Sequence, residues 1–581
     1  MTQNFTSKNE TLQAALTSAK RLLIRAGVFS LFANLLMLSG PIYMLQIYDR
    51  VLSSRSIETL VVLTLLIFFL FAAFGALDFV RAAILARTGT MFENDVQNLT
   101  FDLSMDAARA ADRTYEQPLR DLRQIRQFLA SPALVAFFDA PMTPFFLLLI
   151  FLMHWMIGIV ATIGLFILLG MALMNERWSR NELEKAQSMS QASDAMATAV
   201  LRNAFAADAM GMRKRLRDRW LETGEGSHNQ IVLAGDRMVG VTASAKATRL
   251  FLQSAILGVG AYLAIGQEIT PGVMVAASII AGRALAPVEI VTSQWRNYAS
   301  AMSSYSRLKT FLEAGAVPGP RTKLPEPVGA IDVSRLYIQP LTVTKPIIKN
   351  VSFQLAPGEA LGIVGPSAAG KSTLARALVG VERVVSGDIR LDGADLKQWD
   401  RDLLGAHVGY LPQNIELFDG TVAENISRFR TDATSDKIVA AGKAAGAHEM
   451  VLSLPNGYET QMGDNGGRLS AGQRQRVGLA RAVYDDPVLV VLDEPNSYLD
   501  AEGEAALIRA MQSLKARRAT TIIIAHRPSA IAFVDKLLML TDGAVAAFGP
   551  RDEVLKKIAP GLVARSEGGA KERPQGALGN G

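Results

Sequence analysis

Cysteine is absent from this 581-residue sequence. That excludes a disulfide scaffold, a thiolate zinc site and a cysteine nucleophile. A strong charge of either sign is also missing: the formal net charge is +6 at pH 7, small for this length. The basic excess has a membrane account, given below, so no nucleic-acid partner is expected. The chain is not short of apolar residues. It is 50% hydrophobic with mean hydropathy +0.21, and such a chain buries too much apolar surface to remain disordered. No cleavable signal is read at the start, because Lys20, Arg21 and Arg25 precede a hydrophobic stretch too long for an h-region. At roughly 150 residues per domain the length corresponds to about four domain-equivalents.

What is present is unevenly spread. Apolar residues concentrate in the first 290 positions, in stretches at about 25–47, 59–82, 132–153, 156–176, 248–267 and 271–291. A bilayer-spanning helix needs about 20 mostly apolar residues, so each is a candidate span. The third is less clean, with Asp139, Pro141 and Pro144 near its start. Pro41 and Pro287 are expected to kink their helices, which membrane spans tolerate, and Gly258 and Gly260 to allow close packing. The connection at 83–130 carries Arg87, Arg109, Arg113, Arg120, Arg123 and Arg126, and that at 177–246 carries the run Arg213, Lys214, Arg215, Arg217, Arg219. The turn near 48–58 has only Arg50 and Arg55, and the turns at His154–Trp155 and Ile265–Pro271 have no Lys or Arg. The positive-inside rule therefore puts the long connections and both termini in the cytoplasm. Helical spacing of apolar residues at 93–130 and 181–222 predicts that helices extend the spans into the cytoplasm. The basic run either meets anionic lipid or solvent, or contacts a second domain. Arg283 and Glu289 in the last span either line a polar pathway or sit past the hydrocarbon edge.

After residue 315 the pattern changes. Residues 316–330 (AVPGPRTKLPEPVGA) read as a linker. Short β-rich runs then alternate with helical stretches over 331–561, and residues 562–581 read as a disordered tail. The apolar run Leu361–Val364 leads at once into Gly365, Pro366, Ser367, Ala368, Ala369, Gly370, Lys371, Ser372 and Thr373. This is G-x-x-x-x-G-K-[ST] between a strand and a helix, the context of a phosphate loop. Backbone N–H groups there surround phosphate oxygens at a helix N-terminus. Lys371 is placed for the β- and γ-phosphates of ATP, and Ser372 for Mg²⁺. The second apolar strand, Val488–Leu492, ends in Asp493 and Glu494. Asp493 suits the Mg²⁺ shell, through water, and Glu494 suits the general base that polarises the attacking water.

Between these lies Leu469, Ser470, Ala471, Gly472, Gln473, in which Ser470 and Gln473 form a capping box opening a helix. With the phosphate loop and the Asp-Glu pair, this segment resembles the signature of the ATP-binding cassette (ABC) family, usually LSGGQ, with Ala471 replacing a glycine. The resemblance implies that the signature contacts the nucleotide held by the other subunit. It extends to Gln413, similar to the Q-loop glutamine that reaches Mg²⁺, to Asp500 of the D-loop, and to His526, similar to the switch histidine that senses γ-phosphate. The family usually stacks an aromatic on adenine; the expected position falls near Pro340, and Tyr337 is the nearest candidate.

The implied fold is a six-span α-helical membrane domain of the type I ABC exporter kind, 25–315, after a cytoplasmic segment 1–24. An α/β P-loop nucleotide-binding domain, 331–561, follows. One cassette and six spans imply a homodimeric half-transporter. Residues 40–60 (GPIYMLQIYDRVLSSRSIETL) and Phe137-Phe-Asp-Ala-Pro141 resemble type I secretion permease-ATPases, which work in the bacterial inner membrane. A first span near residue 25 leaves no room for the N-terminal peptidase-like domain of some members, which points to the protease-secretion (PrtD-like) branch. That branch implies a periplasmic adaptor, an outer-membrane channel and a protein substrate with a C-terminal secretion signal. An exporter of lipid or amphiphilic small molecules is the alternative. A non-transporting regulator fits less well, since it needs neither Glu494 nor His526.

Overall fold

The computed structural model describes residues 8–109, 116–314, 324–340, 343, 345–463, 466–525 and 528–558. They fall into two compact units, Met1–Met105 with Thr114–Val317, and Asp106–Arg113 with Pro318–Gly581.

The first unit is helical: α1 (Lys8–Met37), α2 (Ser39–Gln46), a π-helical turn Ile47–Val51, α3 (Leu52–Ser54), α4 (Ile57–Arg109), α5 (Gln117–Leu129), α6 (Pro132–Asp139), α7 (Thr143–Met153), α8 (Trp155–Arg202), α9 (Ala204–Ala209), α10 (Arg213–Ile265), α11 (Pro271–Ser293) and α12 (Trp295–Ala314). Among the described residues six segments are long and apolar enough to cross a membrane, and they cover the six expected spans. The helices overrun the spans because helical periodicity continues past the apolar stretch. Thus α4 runs on to Arg109, α8 to Arg202, and α1 begins well before residue 25. The third span is broken, as its composition foretold: α6 stops at Asp139, a 3₁₀ turn holds Pro141, and α7 restarts with Pro144 in its first turn, where a missing N–H costs nothing. By contrast, α11 continues through Pro287 as one helix. Gly260 does permit close packing, since a Cβ there would meet Met274 Cγ at 2.7 Å. Gly258 does not, because its missing Cβ points to open space.

Several buried polar groups of this unit are paired. Arg81, buried on α4, donates to Ser30 Oγ at 3.1 Å and to Asp139 Oδ1 at 3.0 Å, and pairs with Asp78. Asn34 donates to the same Asp139 oxygen at 2.7 Å. One cluster thus joins α1, α4 and α6. Glu289 pairs with Arg249 of α10, a partner the sequence did not point to, whereas Arg283 is exposed. Next to the span ends, α1, α4, α5 and α12 share an apolar core that includes Ala15, Val96, Leu122 and Leu308. Arg307 of α12 grips the buried Asp121 of α5 with two hydrogen bonds, 3.1 and 2.6 Å.

The second unit holds β1 (Ile331–Ile338), β2 (Ile348–Leu355), β3 (Ala360–Val364), α13 (Lys371–Leu378), β4 (Val384–Leu391), β5 (Ala394–Asp395), α14 (Arg401–His407), β6 (Val408–Leu411), α15 (Val422–Ile426), α16 (Ser435–Ala444), α17 (His448–Leu452), α18 (Ala471–Val483), β7 (Leu489–Asp493), α19 (Ala501–Ala516), β8 (Thr520–Ile524), α20 (Pro528–Ile531), β9 (Lys536–Thr541), β10 (Ala544–Pro550) and α21 (Arg551–Ile558). An antiparallel sheet runs β2-β1-β4-β5, and a six-stranded sheet runs β10-β9-β3-β8-β7-β6. The pairings β6–β7, β7–β8, β8–β3 and β3–β9 are parallel, and β10 closes one edge antiparallel. Every residue of β7 and β8 is buried, as expected for parallel strands covered on both faces. Arg428 uses all its N–H groups on main-chain carbonyls of Gly405, Val408, Arg481, Ala482 and Tyr484, joining the start of β6 to the end of α18. Burial pulls its pKa down to about 10.

Candidate nucleotide site

The phosphate loop joins β3 to α13, as the sequence required. Gly370 sits at φ +95°, and a Cβ there would meet Ile348 Cδ1 at 2.8 Å, so the loop closes only with glycine. Ala368 also takes a left-handed conformation, φ +63°, at the exposed tip beside Pro366 and Ser367. Ala369 is buried and donates to Pro366 O at 3.3 Å, which fixes the turn. Lys371 folds back over the loop, its Nζ donating to Gly365 O at 2.9 Å and Pro366 O at 2.8 Å. Burial lowers its pKa, while Glu494 and Asp493 push it back up. An ammonium held by two carbonyls at the start of a helix is positioned for a phosphate oxygen.

Ser372 follows on α13, with its hydroxyl beside the Asp493 carboxylate. Thr373 points inward, buried, and accepts from Arg376 at 3.3 Å, so it serves the packing of α13. Asp493 ends the fully buried β7. Burial raises its pKa, the Ser372 hydroxyl lowers it, and neighbouring Glu494 raises it again. Its Oδ1 is buried with no hydrogen-bond partner among the described residues. A buried carboxylate oxygen without a donor, next to a serine hydroxyl, fits a hard divalent cation such as Mg²⁺.

Glu494 turns the chain at φ +49°, an uncommon conformation for a non-glycine residue. Its N–H donates to Ile524 O at 3.0 Å, and Ser497 Oγ lies 2.9 Å from its carbonyl and 3.3 Å from Oε2. Strain of this kind often gathers at functional places.

The capping box at the signature is present: Ser470 Oγ accepts from Gln473 N at 3.2 Å, and Gln473 Oε1 accepts from Ser470 N at 2.8 Å. Leu469 is buried and anchors the segment, Ser470 is exposed, and Ala471 and Gly472 open α18. Two residues that the sequence reading passed over tie this helix to the rest of the site. Gln475 donates to Pro495 O at 2.7 Å, and Arg476 donates to Asp500 Oδ1 at 2.8 Å. Asp500 also caps α19 through Gly503 N at 2.8 Å. Their signal was available, since positions 475 and 476 lie about one turn beyond the signature. Gln413 is exposed in the loop after β6, and Tyr337 is part exposed on β1. His526 lies outside the described residues.

Residues 348–497 match the ABC transporter family, and residues 23–285 match the ABC transporter transmembrane region. Over 95% of both chains the sequence is 43% identical to the Type I secretion system ATP-binding protein PrsD of Rhizobium meliloti. It is 29% identical to the cyclolysin secretion/processing ATP-binding protein CyaB of Bordetella pertussis, over 95% of this chain and 78% of that one. It is 27% identical to the alpha-hemolysin translocation ATP-binding protein HlyB of Escherichia coli, over 94% and 78%. The fold matches a bacterial Atm1-family ABC exporter with ATP bound, TM-score 0.79 at 21% identity, over 96% of this chain and 99% of that one.

Proposed function

The chain belongs to the ABC exporters, among the type I secretion ATP-binding proteins, and from that premise we propose that it drives protein cargo across a bacterial inner membrane as a homodimer. It is an ATPase coupled to transport. The observation that carries the cargo class is the end-to-end similarity to a type I secretion protein, membrane unit and cassette together. The named translocation tasks of two further relatives, cyclolysin and alpha-hemolysin, point the same way. A periplasmic adaptor and an outer-membrane channel complete the proposed route. The cargo carries a C-terminal secretion signal, and the cassette and both termini face the cytoplasm.

In this reading the 365–373 loop and Lys371 hold the ATP phosphates. Ser372, Asp493 and Gln413 would hold Mg²⁺. Bound there, the ion would neutralise charge developing on the phosphates. Glu494 accepts a proton from the attacking water, and His526 senses the γ-phosphate. Ser470 and its capping box serve the nucleotide of the partner subunit, and Asp500 holds the neighbouring helix against α18. Tyr337 is the proposed adenine contact.

The test is secretion from cells lacking this protein, complemented by wild type or Glu494→Gln. Loss of a few signal-less proteins from the medium, restored by wild type alone, is the expected result. Purified Glu494→Gln is expected to retain ATP binding and lose about 10²–10⁴-fold in hydrolysis. An unchanged medium overturns protein export in favour of a lipid or amphiphile.

A further inference from the structure

The YDRVL stretch marks the end of the first span, and the nucleotide site makes no use of it. In the structure its first four residues lie in the π-helical turn Ile47–Val51. Such turns are rare and gather at functional places. From this turn Asp49 reaches across to the start of the last span. Its Oδ1 accepts from Gly272 N at 2.8 Å, and its Oδ2 accepts from Thr270 Oγ1 at 2.5 Å. Thr270 in turn accepts from Val273 N at 3.3 Å and caps α11. A carboxylate from one span therefore sits on the N-terminus of another, where the helix dipole favours negative charge. Gly272 is buried, and a Cβ there would lie 2.6 Å from Asp49 Cγ, so the close approach depends on glycine.

A second polar tie holds the first span at its other end, the cluster of Arg81, Asp139, Ser30 and Asn34. The two differ in burial. The Arg81 side chain is 8% exposed and that of Asp139 20%, and separating buried charged partners is costly. Asp49 is only half-buried and Thr270 is exposed. Water can take over their hydrogen bonds at little cost. The positive-inside pattern puts the Asp49 tie on the outer side, and an exporter has to open a route on that side.

We infer that the Asp49–Gly272–Thr270 contact is a releasable latch between the outer ends of the first and last spans of one protomer, and that its opening is a step of the transport cycle. The inference is independent of which cargo is carried. Asp49 is thus a positioning residue: it sets when the outer side is shut and touches no nucleotide.

The cysteine-free chain makes the test clean. Cβ atoms placed at 49 and 272 lie no more than about 4 Å apart, within disulfide range. The full-length dimer carrying Asp49→Cys and Gly272→Cys is placed in lipid nanodiscs and oxidised with copper phenanthroline. ATP turnover is then compared with the same protein reduced by dithiothreitol and with each single variant. The expected result is at least a fivefold loss of turnover on oxidation, regained on reduction, with the single variants unaffected by oxidant. A merely structural contact would not give reversible arrest. If the cross-linked protein turns over as fast as its reduced form, the contact is a permanent cap and the latch is overturned. Should the 49/272 pair fail to fold, Asp49→Cys with Thr270→Cys is read in the same way.

Discussion

Strand β7 and helix α4 are both runs of large apolar residues, yet the structure treats them oppositely. All of β7 is buried. In α4 none of the most apolar window is buried, and Leu60, Leu65, Phe68 and Phe69 stand exposed. The cassette hides its apolar strands between covered faces. The spans have lipid as solvent, so many of their apolar residues face outward, while others, such as Phe146, Ile150 and Ile256, pack inside beside small and polar groups. The same residue types are thus wholly hidden in β7 but lie on both faces of the spans, and hydropathy alone does not say which.

The sharpest way to break this comparison is a charge in each place. Val491→Asp buries a carboxylate in the sheet and should cost over about 4 kcal/mol, so that the cassette fails to fold and ATP binding is lost. Leu65→Asp should cost about 3–4 kcal/mol of insertion at the helix centre, leaving ATP binding intact in whatever protein reaches the membrane. Fluorescent-nucleotide binding and membrane yield separate the two. Equal loss of ATP binding in both would sink the distinction. A second prediction concerns the polar interior. Arg81→Ala strands Asp139, with an expected loss of about 3–5 kcal/mol, seen as a lowered melting temperature in detergent. Replacing both partners by apolar residues, Arg81→Met with Asp139→Leu, should recover most of it. The smallest effect belongs to the cassette surface. Asp500→Ala removes the cap of α19 and one of the carboxylate partners of Arg476, and should lower cassette melting by a few degrees at most.

Much of this was legible beforehand, for physical reasons. Six apolar stretches of bilayer length have few other uses, and all became helices. The phosphate loop was readable because its glycines are dictated by backbone geometry, as Gly370 shows. The capping box was readable because both hydrogen bonds lie within four residues. What escaped were long-range pairs. Glu289 was read with Arg283 as lining a polar pathway or lying past the hydrocarbon edge, and its partner, Arg249 of α10, is 40 residues away in sequence. Arg428 binds five carbonyls from segments about 20 to 55 residues away, and nothing in its neighbours announces that. Asp49 stood in a noted motif, but its partners lie more than 220 residues on. Gly258, credited with close packing, faces open space because helix rotation, which sequence does not fix, decides which glycine meets a neighbour.

The strand order of the cassette has a consequence for biosynthesis. Strand β3, which presents the phosphate loop, lies between β8 and β9, and both emerge long after it. At about 5–20 residues per second, β3 waits roughly 8–30 seconds for β8 after leaving the ribosome. Through that interval an apolar strand has neither of its sheet partners, while the helices before it have already had time to enter the bilayer. Nascent chains halted before residue 520 should therefore be membrane-bound, unable to hold nucleotide, and prone to aggregate through β3.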